Sequence, residues 1–457
     1  MLFNSFVFAL FLSIVWPVWR LLPARGRPVW LVVASLVFYG WWDWRFLFLL
    51  VGSALVDFFC ARAIPSASAQ GRRRLVLVSV LVNLGVLALF KYSGFLVGEL
   101  NGLMALAGSE LVLPALSVVL PVGLSFYTFQ SMAYTIDVAR GAAPARRFRD
   151  VLLYVGFFPQ LVAGPIERSA HLMPQLQQSR DPSARDWREA VELFSWGLFK
   201  KAVVADNLAV LVQRAFDEPD PGGLRVLIGA YAFTWQIYCD FSGYSDMARG
   251  VARLFGVDLM VNFRRPFFAA GPQELWRRWH ISLSQWLRDY LYLPLGGSRG
   301  TAGRTAANLL TTMILGGFWH GASWTFLIWG AIHGVALVLS RSLPWTLPRP
   351  LAILLTFHLT MLAFVVFRAH DPGQVLDLAG AVASGLAIRT EDIAGLRLLL
   401  LLAGSVLAWD LLAERLDRDL LLQQSHALLR WAVILGLWVG IALLGGSFGQ
   451  PFLYFQF

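Results

Sequence analysis

Residues 309–334 read LLTTMILGGFWHGASWTFLIWGAIHG, two apolar runs joined with almost no polar loop and containing no Asp, Glu, Lys or Arg. Trp319, His320, Ser323, Trp324 and His333 sit inside this oily stretch. An ionisable side chain at membrane depth is costly to desolvate, so a histidine placed there marks a functional site by default. The composition of the whole chain says the same: 57% of its 457 residues are hydrophobic and only 14% charged, against about 25% charged in an average soluble domain. The mean hydropathy is +0.61. These values predict an all-α polytopic membrane protein, and the absence of any polar low-complexity linker predicts one membrane domain over residues 1–457.

The net charge of +10 arises from 38 Lys and Arg against 28 Asp and Glu. The basic residues are scattered through short loops, which follows the positive-inside rule and gives no arm or stripe for nucleic acid. Cys60 and Cys239 lie in apolar surroundings and indicate neither a disulfide framework nor a thiolate metal site. No His, Cys and carboxylate set has metal-ligand spacing, so no metal is expected. The first apolar run lacks a basic leader and reads as a retained membrane segment.

Outward from the opening stretch, apolar runs occur at 6–22, 29–39, 46–60, 75–90, 111–138, 351–367, 398–409 and 431–444, with Pro121 and Gly123 breaking the fifth. The cluster Trp41-Trp42-Asp43-Trp44 reads as an interfacial turn. Arg25, Arg27, Arg72, Arg73, Arg74 and the 140–149 loop predict a cytoplasmic side and an N-terminus outside. The run 151–164 is too short to span and reads as re-entrant or interfacial. Residues 186–212 are helical by pattern but contain Lys200, Lys201 and Asp206, which predicts a buried helix with paired charges. The segment 262–303 is amphipathic, and helical spacing places Trp276, His280, Ser284 and Leu287 on one face.

Several residues carry chemistry on paper. His320, buried and neutral, can accept a proton from a hydroxyl; a hydrogen-bonded core histidine is the alternative, and the residues alone leave both open. His333 lies thirteen positions further on, about 220° around a continuous helix, so it need not share the site. His280 is either a lining or supporting residue or an interfacial histidine. Asp240, in the run Asp240-Phe241-Ser242-Gly243-Tyr244-Ser245-Asp246, either orients an imidazole or pairs with nearby arginines to hold a broken helix. The loop carrying Arg299 and Arg304 is rich in glycine and basic, as an anion cradle would be, but lacks the P-loop spacing.

Three motifs taken together are more specific. Asp240–Asp246, then Trp276-Arg277-Arg278-Trp279-His280-Ile281-Ser282-Leu283-Ser284 with Trp286-Leu287-Arg288-Asp289-Tyr290, then Trp319-His320-Gly321, resemble the membrane-bound O-acyltransferase (MBOAT) family. Within it the likeness is to the branch that acetylates alginate, and more distantly to the branch that D-alanylates teichoic acid. It runs from Met1 through His333 and is weak beyond about Leu339.

The resemblance implies the MBOAT fold: about ten or more transmembrane helices, with re-entrant and interfacial helices, around a central funnel or tunnel in a bacterial inner membrane. It implies that His320 is catalytic and that His280 lines or supports the tunnel. Trp319, Trp324, Asp240, Ser284 and His333 become further supporting or lining candidates, and Arg299 and Arg304 candidates for the donor's phosphates. It implies acetyl-CoA as acyl donor, a periplasmic acetyltransferase-like partner, and an exopolysaccharide as final acceptor. No bound cofactor is implied. Other classes that bury histidines are a proton-coupled transporter or flippase and a non-catalytic scaffold of a polysaccharide synthase. The first ordinarily shows repeat symmetry, which is not visible here, and the second gives no reason to bury an imidazole.

Overall fold

The computed structural model describes residues 1–114, 119–342, 347–446 and 452–453, and these are helical throughout, with no strand among them. Six helices are long and apolar enough to cross a membrane: Phe46–Ser66, Ala69–Leu106, Trp324–Ser342, Arg349–Arg368, Thr390–Leu416 and Ala427–Leu444. Phe6–Leu21 and Arg27–Gly40 are shorter apolar helices. Other long helices are less apolar, and some of them carry charge into the interior. The 32-residue helix Gly223–Leu254 is the clearest, since it holds Arg225, Asp240, Asp246, Arg249 and Arg253 and yet is buried along most of its length.

The second helix hairpin shows why the body is built for lipid. On Ala69–Leu87 the outward residues Leu77, Val78, Leu81 and Leu84 are exposed, whereas Ser79 and Asn83 are buried. Both inward groups donate to the carboxylate of Asp57, which Ser131 and Thr135 also reach from Leu124–Ala139. Apolar outside and hydrogen-bonded polar inside is the pattern that bilayer solvent selects. The first turn of this helix is capped by Ser68, whose hydroxyl accepts from the Gly71 amide.

Gly223–Leu254 is the axis of the molecule. Ala184–Phe199 crosses it at Gly197 and Gly243, where a Cβ on either glycine would come within 2.7 Å of the other's carbonyl oxygen. Small residues at such a crossing let two backbones meet. Along this helix the interior charges are paired: Lys200 bonds Asp246 at 2.7 Å, and Lys201 lies 2.7 Å from Asp240 and 2.8 Å from Asp206. Two expectations are corrected here. The Asp240–Asp246 run lies within a continuous helix, not a broken one, and its cationic partners are mainly lysines from the π-helical turn Lys200–Ala205.

Two further boundaries differ from the sequence pattern. The run predicted at 75–90 continues through a π-helical turn, Ala88–Tyr92, into Ser93–Leu106. The run predicted at 111–138 begins its helix only at Leu124, after Gly123 in a left-handed conformation, so Pro121 and Gly123 precede the helix instead of kinking it; positions 115–118 lie outside the described residues. Arg27 is also not a free loop charge, being held over the Trp19 ring and 2.8 Å from Asp181.

The opening stretch forms a tight antiparallel pair, Ala302–His320 and Trp324–Ser342. Gly317 and Gly330 make the crossing possible: a Cβ on Gly317 would stand 2.2 Å from the Phe326 carbonyl oxygen, and one on Gly330 2.4 Å from that of Met313. Gly330→Ala should therefore strain or separate the pair at a cost of about 1–3 kcal/mol, read as a lower melting temperature of the purified protein. Gly303→Ala, where a Cβ meets nothing within 4 Å, should leave it unchanged, and equal melting of the two variants would refute the close crossing.

Candidate active site

His320 is the last residue of its helix, and the chain turns immediately after it. Gly321 is extended, and a Cβ there would lie 2.0 Å from the ring of Phe326, so only glycine lets that ring close over the turn. The Trp-His-Gly order thus has a local cause: tryptophan packs inward, histidine ends the helix, and glycine admits the next helix.

A helix end inside a membrane body leaves carbonyls to be satisfied. Lys91 donates to the carbonyl oxygens of Trp319 and His320, at 2.8 Å each, and the hydroxyl of Tyr92 donates to that of Phe318 at 3.0 Å. The ammonium also opposes the negative end of the helix dipole. Neither residue was singled out in the sequence.

The His320 ring is 5% exposed and lies among aromatic rings. Centroids of Trp319, Trp329 and Phe367 are 5.0, 5.1 and 5.5 Å away, and that of His280 6.4 Å. Trp319 is itself packed against Phe126 and Phe129. The two motif histidines therefore meet across a narrow aromatic chamber.

His280 is fully buried and adopts φ +40°, a left-handed backbone that costs a non-glycine residue about 1–3 kcal/mol. Its position separates Pro272–Arg278 from Ile281–Leu287. The single helical face predicted for Trp276, His280, Ser284 and Leu287 does not exist, because the chain changes direction at the histidine.

Asn262 holds that turn. Its Oδ1 accepts from His280 Nδ1 at 3.1 Å, from the Ser282 hydroxyl at 2.9 Å and from the Ser282 amide, while its backbone carbonyl accepts from the Ile281 amide. Since an amide oxygen only accepts, Nδ1 carries the proton and Nε2 the lone pair. Nε2 has no hydrogen-bond partner among the described residues. Ser282 also receives the Ile166 amide, and Glu167 next to it accepts from the Met260 amide and bonds His171. The Pro165–Arg168 run is thus a brace for the His280 turn. Outside, Glu414 takes both Arg278 nitrogens at 2.9 Å and Arg265 at 2.8 Å, so the helix Thr390–Leu416 clamps the same loop.

The remaining candidates divide. His333 lies one ring beyond, 4.7 Å from Trp329 and 5.2 Å from Trp276. Ser284 donates to the Trp279 carbonyl and borders a small cavity with Trp276 and Leu287. Asp240 is tied to Lys201 and to the Leu453 amide, on the far side of Phe241 from His280. Trp324 does not join the chamber: it is 51% exposed, its indole donates to Glu99, and its ring abuts Phe95. Arg299 and Arg304 are exposed near the start of the Ala302–His320 helix, remote along it from His320.

Chemically, the site offers a buried imidazole beside a second imidazole of fixed tautomer, in a water-poor aromatic shell. Residues 146–345 match the model of the membrane-bound O-acyltransferase family. The chain belongs to that family, and it is an acyltransferase and a multi-pass membrane protein. Among its relatives, the "Probable alginate O-acetylase AlgI" of Azotobacter vinelandii is 43% identical over 81% of this chain and 76% of its own length. The protein of that name from Pseudomonas putida is 38% identical over the whole of both chains. The "Peptidoglycan O-acetyltransferase" of Helicobacter pylori is 36% identical over 81% of this chain and 77% of its own.

Replacing Lys91 by Met removes two charge-assisted hydrogen bonds from the helix end, each worth about 1.5–3 kcal/mol. The expected result is a melting temperature well below that of the parent. Equal melting would show that the ammonium does not hold the His320 helix end.

Proposed function

We propose that this enzyme takes an acetyl group from a thioester donor, acetyl-CoA, on the cytoplasmic side of a bacterial inner membrane and passes it to a hydroxyl reached from outside. The acetyl group then serves O-acetylation of an exported polysaccharide, through a periplasmic acetyltransferase-like partner. The observation that carries the reading is His320 at an intramembrane helix end, in an aromatic chamber with His280 as neighbour. The names of the relatives, alginate O-acetylases and a peptidoglycan O-acetyltransferase, support acetyl as the group and a polymer as its destination.

The sidedness follows from charge. Arg62 donates to the Arg146 carbonyl, Arg140 to that of Asp289, and Arg341 to the Ser298 hydroxyl, which gathers the basic loops at one end of the body. By the positive-inside rule that end is cytoplasmic, and the N-terminus is outside. Arg299 and Arg304 lie at this end, suited to a donor's phosphates. The helix Ala302–His320 spans 19 residues, about 28 Å at 1.5 Å per residue, which carries His320 toward the outer face.

In the reaction, His320 accepts the proton of the acceptor hydroxyl as its oxygen attacks the thioester carbonyl. The tetrahedral adduct collapses by breaking the C–S bond, and the thiolate recovers the proton from the imidazolium. His280, held by Asn262, keeps a lone pair in the same chamber. The aromatic shell excludes the water that would hydrolyse the donor.

His320→Ala should lower polymer acetyl content by 100-fold or more, on the scale of losing a general base, in cells that hold normal membrane levels of the variant. Unchanged acetylation would refute the assignment. Proteoliposomes that move polymer without consuming labelled acetyl-CoA would replace it with a transporter.

A further inference from the structure

His333 is 2% exposed, and neither of its ring nitrogens has a partner among the described residues. Its two ring neighbours are in the same condition, the indole N–H groups of Trp276 and Trp329 being buried and unpaired. Leaving a buried polar atom unsatisfied costs about 1–3 kcal/mol, and four such atoms adjoin one another here. A histidine that merely filled space would be better replaced by phenylalanine. The cluster makes sense as a recognition surface of three N–H donors and one lone pair.

Its place in the fold says what reaches it. A cavity of about 170 Å³ is lined by Trp276, Ser284, Leu287, Met313 and Leu337, with exposed Arg288 and half-buried Tyr292 at the end that bears the basic loops. Trp276 belongs both to this cavity and to the His333 cluster. Two helical stripes run from the cavity toward His320. On one helix Leu309 and Met313 are followed, at helical spacing, by Gly316 and His320; on the other, Leu337 is followed by His333 and then Trp329. Over Gly316 the space is filled by the side chain of Leu287, which also lines the cavity, so that a single flexible leucine stands between the cavity and this stripe. From Met313 to His320 is about 10 Å along the helix, a length that a linear chain covers and a sugar ring does not need.

We propose that His333, with Trp276 and Trp329, is a binding subsite for a secondary amide in the linear arm of the acyl donor, and so a positioning residue for the thioester at His320. An amide supplies one carbonyl acceptor and one N–H donor; the lone pair of a neutral imidazole accepts from the N–H, while the indole N–H groups donate to the two lone pairs of the carbonyl. The subsite rests on the donor reading above, in that a pantetheine-type arm has amides of this kind and enters from the cytoplasmic end.

The test uses the full chain in nanodiscs and a ketone analogue of acetyl-CoA, with a methylene in place of the thioester sulfur, so that binding is read without transfer. His333→Phe should weaken the analogue about tenfold, the loss of roughly 1.4 kcal/mol of hydrogen bonding. His333→Gln, which keeps one donor and one acceptor, should stay within about threefold of the parent. The melting temperature of His333→Phe without ligand should equal or exceed the parent's, because an unsatisfied polar ring has been removed. Binding by His333→Phe within twofold of the parent overturns the subsite while leaving the donor intact. A parent that binds no analogue overturns the donor reading and the subsite together. If both variants lose binding and also melt lower, His333 is a packing residue and the subsite is refuted.

Discussion

A helix that stops inside a membrane protein must find partners for its last carbonyls, and the rest of this site depends on how that is done for Phe318, Trp319 and His320. Lys91 and Tyr92 reach them from a π-helical turn of a neighbouring apolar helix. Because those bonds are supplied from outside the helix, the chain is free to turn at Gly321 and return at once. His320 is thereby presented at a terminus, where its side chain is not confined by a following helical turn. The cost of ending a helix in a low-dielectric body is what fixes the imidazole in place.

The same principle governs the second histidine. The turn at His280 breaks a helix, and Asn262, Ser282 and the Pro165–Arg168 run restore the hydrogen bonds that the break removes. In the centre, Lys200 and Lys201 neutralise the carboxylates of Asp206, Asp240 and Asp246. Irregular backbone and buried charge are tolerated only where protein groups re-satisfy them. The polar residues in this chain are accordingly concentrated along one continuous interior, and lipid meets mostly leucine, valine and phenylalanine.

Much of this was legible in the sequence. Hydropathy gave the helical membrane body, and the charge-free stretch around Trp319-His320-Gly321 gave the chamber, because an imidazole among apolar residues stands out whatever its neighbours do. Lys91 was invisible for a physical reason: its partners are backbone carbonyls 228 and 229 positions away, and a carbonyl has no sequence signature. Asn262 was missed likewise, since one amide oxygen serving three donors leaves no periodic pattern. The face drawn through Trp276, His280 and Ser284 assumed an unbroken helix, and left-handed φ at His280 voids that assumption. Trp324 misled through proximity: four residues from the histidine, it opens the next helix on the outer face, where Glu99 receives its indole.

The chamber also explains why two antiparallel helices, and not one, carry the motif. A single helix ending at His320 would place its imidazole at the outer end with no route from the basic loops. The return helix doubles back beside it, close enough at Gly317 and Gly330 that Trp329 and His333 lie along the path from those loops. On the function proposed above, a thioester coming from the basic loops and a hydroxyl from the opposite side would meet at His320. Separating the two helices at this crossing would move Trp329 away from His320, which is why glycine at these positions serves the site as well as packing.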